Sequence, residues 1–353
     1  MTMIRKMTML GAAAAVVTSF ATAGSAYAAA EHKWKMAASW GGGPLMEIGA
    51  KAFAEKVKFL TDGRLEIKVF PSGQLSKGLE VRSAVAKGVA EMGHTWMGYD
   101  WGKDKTTVLL GGFAGSMDSE RMLHWIYEGG GLELWQEFND ERFGIVSFPM
   151  FIRTAEAFLH SRKPVKTLAD LKGLKFRTAG AWLDISKGLG AAPVTMPGGE
   201  VYTSLERGAI DATEWGTLYE NKSTGFHKIA KYVIIPGVHQ PTAPFELVIN
   251  KKAWATLSKR DQKLVAEAAK MVTFETWTRI GNEDAKALDF YRKAGNEIIV
   301  LDAAVQRQAK QLGIAWAENV AKDNPWFDKI FKSQRAFEKL WKDAAYYRNV
   351  ISD

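Results

Sequence analysis

Trp34-Lys-Met-Ala-Ala-Ser-Trp40, Leu65-Glu-Ile-Lys-Val-Phe70 and Val89-Ala-Glu-Met-Gly-His-Thr-Trp96 are the segments whose reading decides the fold. Leu65, Ile67 and Val69 alternate with Arg64, Glu66 and Lys68, the period-two pattern of a strand with one buried face. The flanking two segments also read as strands. Between the first two, Pro44 opens a helical pattern carried by Leu45, Ile48, Phe53, Val57 and Leu60, and Gly63 follows its end. Pro71-Ser-Gly73 is a turn, and a helix is expected over about Lys77 to Lys87. The order β-α-β-α-β predicts a parallel sheet covered by helices.

A second α/β series follows. Leu168-Ala-Asp-Leu-Lys-Gly173 reads as a short helix with a glycine stop, and Leu174 to Arg177 as a strand ending on a charge. A helix over about Trp182 to Leu189, a strand Ala192 to Thr195, a helix Glu200 to Arg207 and a strand Ile210 to Thr213 come next, with Glu214-Trp215 at the last strand's end. Strand ends in such lobes point into the crevice where ligands bind. Phe245 to Asn250 reads as one more strand. Beyond it the chain is mostly helical: Ser258 caps a helix expected to reach about Asn282, and further helices cover about Val305 to Ala321 and Asp328 to Tyr347. The fold class is therefore α/β with two lobes.

At the N-terminus Arg5 and Lys6 precede an apolar, Ala-rich stretch, and Ala26-Tyr-Ala28 has the small-residue pattern of a cleavage site. This reads as a secretory signal peptide, with the mature chain starting near Ala29. The chain has no Cys, which removes thiol catalysis and Cys-ligated metals, and leaves an exported protein to be held by its core. Its formal charge is +8. The basic residues are scattered among acidic ones, which speaks against nucleic acid; a modest positive field helps gather anions. There are 13 Trp, most of them core, with some available as walls of a pocket.

Several segments together resemble the TRAP transporter solute-binding proteins of the DctP type. They are Phe70-Pro-Ser-Gly-Gln-Leu75, Leu171-Lys-Gly-Leu-Lys-Phe-Arg177, Gly190-Ala-Ala-Pro-Val-Thr-Met-Pro197, Glu200-Val-Tyr-Thr-Ser-Leu205 and Gly208-Ala-Ile-Asp211. The resemblance covers essentially the whole mature chain. Gly102-Lys-Asp104, Gly129-Gly-Gly-Leu-Glu-Leu134 and Asp211-Ala-Thr-Glu-Trp215 are similar to the branch that binds 2-oxo and 2-hydroxy monocarboxylates. The resemblance implies a two-lobed periplasmic-binding-protein fold (type II-like), a cleft that closes on its ligand, a long connecting helix and a two-component membrane permease as partner. It divides the chain into a signal peptide (1–28), a first lobe (29–151), a second lobe (152–239), a return with the connecting helix (240–282) and C-terminal helices on the second lobe (283–353). Some members of the branch exchange a C-terminal helix to form a homodimer.

The resemblance makes Arg177 the carboxylate anchor. A guanidinium offers a planar fork to two carboxylate oxygens and keeps its charge; the competing role is a salt bridge between lobes. Glu214 and the Trp215 carbonyl correspond to ligands of a cation such as Na⁺ or Ca²⁺, bound with the ligand rather than as a required cofactor. Counting back from Asp170-Leu-Lys-Gly173 places the branch's metal-coordinating Gln on Glu156, in a segment, Phe151 to His160, that departs from the family. Three readings stay open there. Glu156 is a charged metal ligand, or the metal site is lost and Arg153 is a second anchor, or both form ordinary salt bridges. Trp40, Tyr99 and Trp101 are candidate cleft aromatics, and Gln240, beside His239 near a lobe crossing, is a candidate ligand contact. The competing function classes are a receptor for another importer or sensor, and a periplasmic enzyme. Against the enzyme, the sequence has no G-x-S-x-G, H-E-x-x-H, Walker or G-x-G-x-x-G motif in the required context.

Overall fold

The structure, a computed structural model, describes residues 30–348, so the expected signal peptide lies outside the described residues. The strands in chain order are β1 (His32–Ala38), β2 (Leu65–Phe70), β3 (Met92–Thr95), β4 (Ile145–Arg153), β5 (Leu159–Ser161), β6 (Lys175–Arg177), β7 (Ala192–Val194), β8 (Ala212–Thr213), β9 (Tyr232–Ile235), β10 (Ala243–Asn250) and β11 (Glu297–Val300). They form two sheets, with orders β2-β1-β3-β10-β4 and β11-β9-β5-β8-β6-β7. β1 pairs in parallel with β2 and β3, as the alternating strand–helix order predicts. In the second sheet β6 is likewise parallel to β7 and β8. The expected helix over Lys77–Lys87 is shorter, a 3-10 turn Gly78–Glu80 leading into a helix Val81–Ala86.

The chain crosses between the sheets three times. It leaves the first sheet after β4, returns from β9 to β10, and crosses again through the helix Lys259–Lys293. β10 is antiparallel to both of its neighbours, β3 and β4. It therefore wedges a strand that arrives from the second lobe between β3 and the edge strand β4 of the first sheet. Ser258 caps the long helix as expected, its Oγ accepting from the Asp261 amide at 3.0 Å. The expected end near Asn282 is corrected: 35 residues run on to Lys293. No residue breaks the helix before Gly295, which takes a φ of +85°. At 1.5 Å per residue the helix is about 50 Å long. It packs on β4 and the helix Ala52–Leu60 at one end, and on the helix Leu218–Lys222 and β11 at the other. None of the described helices is long and apolar enough to cross a membrane.

The expectation that residues 283–353 sit on the second lobe is also corrected. The helix Ala303–Ala321 packs on Trp182–Leu189 of the second lobe, but Pro325–Asp343 packs on Gly131–Phe143 and Ser119–Glu128 of the first. The apolar stripe Phe327, Ile330 and Phe331 joins a core that includes Trp125, Trp135 and Phe138. The C-terminal segment thus straps both lobes.

β10 is tied into the first lobe by a buried charge network. Arg82 forms an ion pair with Asp100, Nε lying 2.9 Å from Oδ2, donates to Asn139 through Nη1 at 2.6 Å, and donates through Nη2 to Glu246 of β10. Glu246 also accepts from the Ser147 hydroxyl at 3.0 Å. Burial pushes the Glu246 carboxyl up to about 7, against the pull of Arg82. The folded chain therefore holds this proton at pH values where the unfolded chain has lost it. Stability contributed by the protonated group is full below about pH 4.5 and is lost as pH rises toward 7. Chemical denaturation at about pH 5 and about pH 7 should show a smaller stability difference in Glu246→Gln than in the parent. The difference should not vanish, because a second buried carboxyl, Glu220, is also pushed up to about 7.

Candidate ligand cleft and its buried ion cluster

A cleft of about 860 Å³ lies between the lobes. The first lobe lines it with Trp40, Leu45 and Tyr99, and the second with Pro197, Trp215 and Phe226. Trp40 follows β1 and Tyr99 follows β3, so both project from strand ends, where crevice residues of open α/β sheets belong. Their rings are 6.5 Å apart.

An ion cluster is buried beside this cleft. Arg177 ends β6 and Glu214 follows β8; Arg177 Nη1 donates to Glu214 Oε1 at 3.1 Å. The Arg177 guanidinium lies 5.3 Å from the Trp215 ring centroid, so the charge group stands against a cleft wall. Arg153 ends β4 and donates to Glu156 Oε1 at 2.7 Å and to the Trp215 carbonyl at 3.2 Å. Its Nη1 is also 3.2 Å from Glu220 Oε2, and its guanidinium lies 4.5 Å from the Phe245 ring centroid. The other oxygen of Glu156 is 3.0 Å from His239 Nε2, and Glu214 Oε2 is 3.9 Å from the same nitrogen. All six side-chain owners are at most 6% exposed. Burial raises the Glu214 carboxyl above its ordinary range; Arg177 opposes the rise and the Glu156 charge adds to it. Burial likewise pushes Glu220 up to about 7, opposed by Arg153.

The cluster exists because two lobe crossings touch. The Glu156 amide donates to the Gln240 carbonyl at 3.3 Å, which pairs the crossing after β4 with the one before β10. Gly237 permits this approach, since a Cβ there would lie 2.3 Å from the Glu156 carbonyl oxygen. Gly216 does the same for the ions: a Cβ there would lie 2.6 Å from both Arg153 Nη1 and Glu220 Oε2.

The structure gathers Arg153, Glu156, Arg177 and Glu214 in this cluster and sets Trp40, Tyr99 and Trp215 on the cleft. Two sequence expectations are corrected. Gln240 does not face the cluster; its side-chain amide donates to the Gly111 carbonyl at 2.8 Å, while its neighbour His239 turns inward. Trp101 lines a separate crevice with Lys103, Asp104, Arg142, Asp184 and Asn324. The 3-10 turn Met97–Asp100 separates it from Tyr99 and sends the two rings to different sides. The Trp215 carbonyl, expected as a metal ligand, is engaged by Arg153. His239 and Glu220 were not among the expected site residues. Glu220 is disguised as half of a capping box with Thr217, and only the fold shows that it also meets Arg153.

One donor atom from each of Glu156, Glu214 and His239 lies within 4.8 Å of the other two. Two carboxylates and an imidazole this close fit a single cation.

Two α/β lobes joined by three crossings, with a cleft between them, are the architecture of a two-lobed solute receptor. A model of the DctP family, the bacterial extracellular solute-binding proteins of family 7, matches residues 36–323. The chain belongs to that family, which makes it the periplasmic solute-binding component of a TRAP transporter. A monocarboxylate 2-oxoacid-binding periplasmic protein of Nostoc sp. is 30% identical over 87% of this chain and 84% of its own length. A TRAP solute-binding protein from Bordetella bronchiseptica, with calcium and picolinate in one site of a mixed-occupancy dimer, has a TM-score of 0.84 at 27% identity, covering 90% of this chain and 94% of its own. Another, from Pseudoalteromonas atlantica with bound sodium and pyruvate, has a TM-score of 0.83 at 29% identity, covering 91% and 99%.

Gly237→Ala should push the two crossings apart. The expected cost is about 1–3 kcal/mol of stability from backbone overpacking, read as a lowered denaturation midpoint. An unchanged midpoint would mean that the crossings do not need the close approach.

Proposed function

We propose that the protein captures a 2-oxo or 2-hydroxy monocarboxylate between its lobes and passes it to the membrane subunits of a TRAP permease. The observation that carries this reading is the buried Arg177–Glu214 pair against Trp215, at the wall of the cleft. Arg177 takes the ligand carboxylate, with Arg153 as a second positive group in reach of Glu156 and Glu220. Trp40, Tyr99, Trp215 and Phe226 form apolar walls that suit a branched or aromatic tail, and their burial excludes water from the anchor as the lobes close. Glu214 and Glu156 hold a cation, Na⁺ or Ca²⁺ by analogy with the solved relatives, and Trp215 stays close by through its Arg153-bound carbonyl. A bound cation supplies positive charge that two buried carboxylates and an organic anion would otherwise lack.

On the same reading the chain is exported by a cleaved signal peptide and works in the periplasm. It carries out no reaction and releases its ligand unchanged. The lobes correspond to residues 29–151 and 152–239. The exposed Leu340 and Tyr347 at the end of the last helical segment support a homodimer formed through this region. Sedimentation of the mature protein at monomer mass would remove the dimer from the proposal.

The test is a thermal-shift panel of 2-oxo, 2-hydroxy, aromatic and dicarboxylic acids, with and without Ca²⁺. A ligand that binds only the folded state raises the melting temperature. A monocarboxylate should give the largest shift. Arg177→Ala should weaken its binding at least about thirtyfold, from the loss of a buried charge-assisted pair worth about 2–5 kcal/mol. Arg177→Ala also leaves Glu214 unpaired, so Arg177→Lys keeps the charge while losing the two-pronged fork. Unchanged affinity in both variants would remove Arg177 as the anchor.

A further inference from the structure

The two carboxylates of the cluster are each held by one oxygen. Arg153 takes Glu156 Oε1 and Arg177 takes Glu214 Oε1. The second oxygen of each is the one near His239, at 3.0 Å for Glu156 and 3.9 Å for Glu214, both measured to Nε2. Two guanidinium groups thus fix two carboxylates so that their remaining oxygens converge on one imidazole nitrogen. His239 is 2% exposed, and its position is set by the crossing that also binds the Glu156 amide.

The charges of this buried group do not balance around an anion. Arg153 and Arg177 supply two positive charges, and Glu156, Glu214 and Glu220 three negative ones. An imidazole that ligates a metal must be neutral, so the formal sum is minus one with Glu220 ionised and zero below about pH 7, where burial keeps Glu220 protonated. An organic acid anion adds another negative charge to a site where isolated ions are costly. A monovalent cation cancels one of these charges and a divalent cation two.

Resting on the carboxylate-binding reading above, the geometry points to His239 as the third protein ligand, with Glu156 and Glu214, of a divalent-cation centre that prefers imidazole-accepting ions such as Zn²⁺ or Co²⁺ over Na⁺ and Ca²⁺. Na⁺ and Ca²⁺ draw on oxygen donors, whereas imidazole nitrogen favours first-row transition ions and Zn²⁺. Replacing one oxygen donor by nitrogen therefore shifts selectivity without enlarging the site. The carboxylates stay oriented by Arg153 and Arg177, as groups behind a metal ligand orient it elsewhere.

The experiment uses chelator-treated mature protein, with pyruvate as the acid probe, and titrates Zn²⁺, Co²⁺, Mn²⁺, Ca²⁺ and Na⁺ by calorimetry. The visible absorption of bound Co²⁺ reports nitrogen ligation directly. The parent should bind Zn²⁺ and Co²⁺ at least about tenfold more tightly than Ca²⁺. His239→Gln keeps a hydrogen-bond donor toward Glu156; it should cut that preference by at least about tenfold and shift the Co²⁺ bands, with the metal-free melting temperature nearly unchanged. Equal or tighter Ca²⁺ binding in the parent overturns the assignment. So does a preference and a Co²⁺ spectrum that survive His239→Gln, which would leave His239 as a hydrogen-bonding partner of Glu156 only. Acid binding that responds to Ca²⁺ alone keeps the carboxylate reading and removes His239 from the centre. Selective, His239-dependent ion binding with no organic acid bound under any condition keeps the centre and removes the carboxylate reading.

Discussion

Arg153 holds the two halves of this molecule in register. It ends β4 of the first sheet, yet it donates to Glu156 on the crossing and to the Trp215 carbonyl beyond β8, and forms an ion pair with Glu220 of the second lobe. A guanidinium buried this deeply must be paired, and breaking such a pair costs several kcal/mol because the remaining charges have no solvent to turn to. The interlobe geometry is therefore fixed by charge satisfaction as much as by apolar packing. Gly216 and Gly237 are the steric counterpart of that constraint, because a side chain at either position would occupy the space of the ions or of the crossing backbone.

The same constraint connects the fold to binding. The crossing after β4 meets the long helix directly, the Thr154 hydroxyl donating to Asp284 at 3.0 Å, and it pairs with the crossing before β10 through the Glu156 amide. The helix Lys259–Lys293 runs along both lobes and gives the crossings a rigid support, while the segment after it returns to each lobe in turn. A ligand that enters the cleft meets walls from both lobes and a charged group from the second. On the proposed reading, closure lowers the local dielectric and strengthens the contact between Arg177 and the ligand's carboxylate. Because the buried carboxylates already claim both guanidinium groups, an anion bound as proposed shares Arg177 with Glu214 and brings a demand for extra positive charge. On that reading, ligand and cation are thermodynamically coupled in this site, each raising the affinity for the other.

Much of the architecture was legible along the chain. The alternation at Leu65, Ile67 and Val69, the helix cap at Ser258 and the strand end at Arg177 are local patterns, and local patterns survive into the fold. Arg177, Glu214, Arg153 and Glu156 were recognisable as charges placed at strand ends or in a divergent segment, with the resemblance to a family supplying their roles. What misled were positions whose meaning depends on which way the chain turns. Trp101 and Tyr99 differ by two residues, yet a single 3-10 turn separates their destinations. Gln240 and His239 are adjacent, and a bond to the Gly111 carbonyl takes one away while the other faces the carboxylates.

The sequence by itself determined the α/β class, the two series of strands and helices, the absence of cysteine chemistry and the identity of the charged residues available for a site. These follow from periodicity, capping and composition, which act over a few residues. Only the tertiary structure decided that β10 inserts between β3 and β4 of the first sheet, that the helix Pro325–Asp343 returns to the first lobe, and that Glu220 and His239 join the ion cluster. Those outcomes depend on contacts between residues far apart in the chain, where burial and charge pairing, rather than local pattern, select the arrangement.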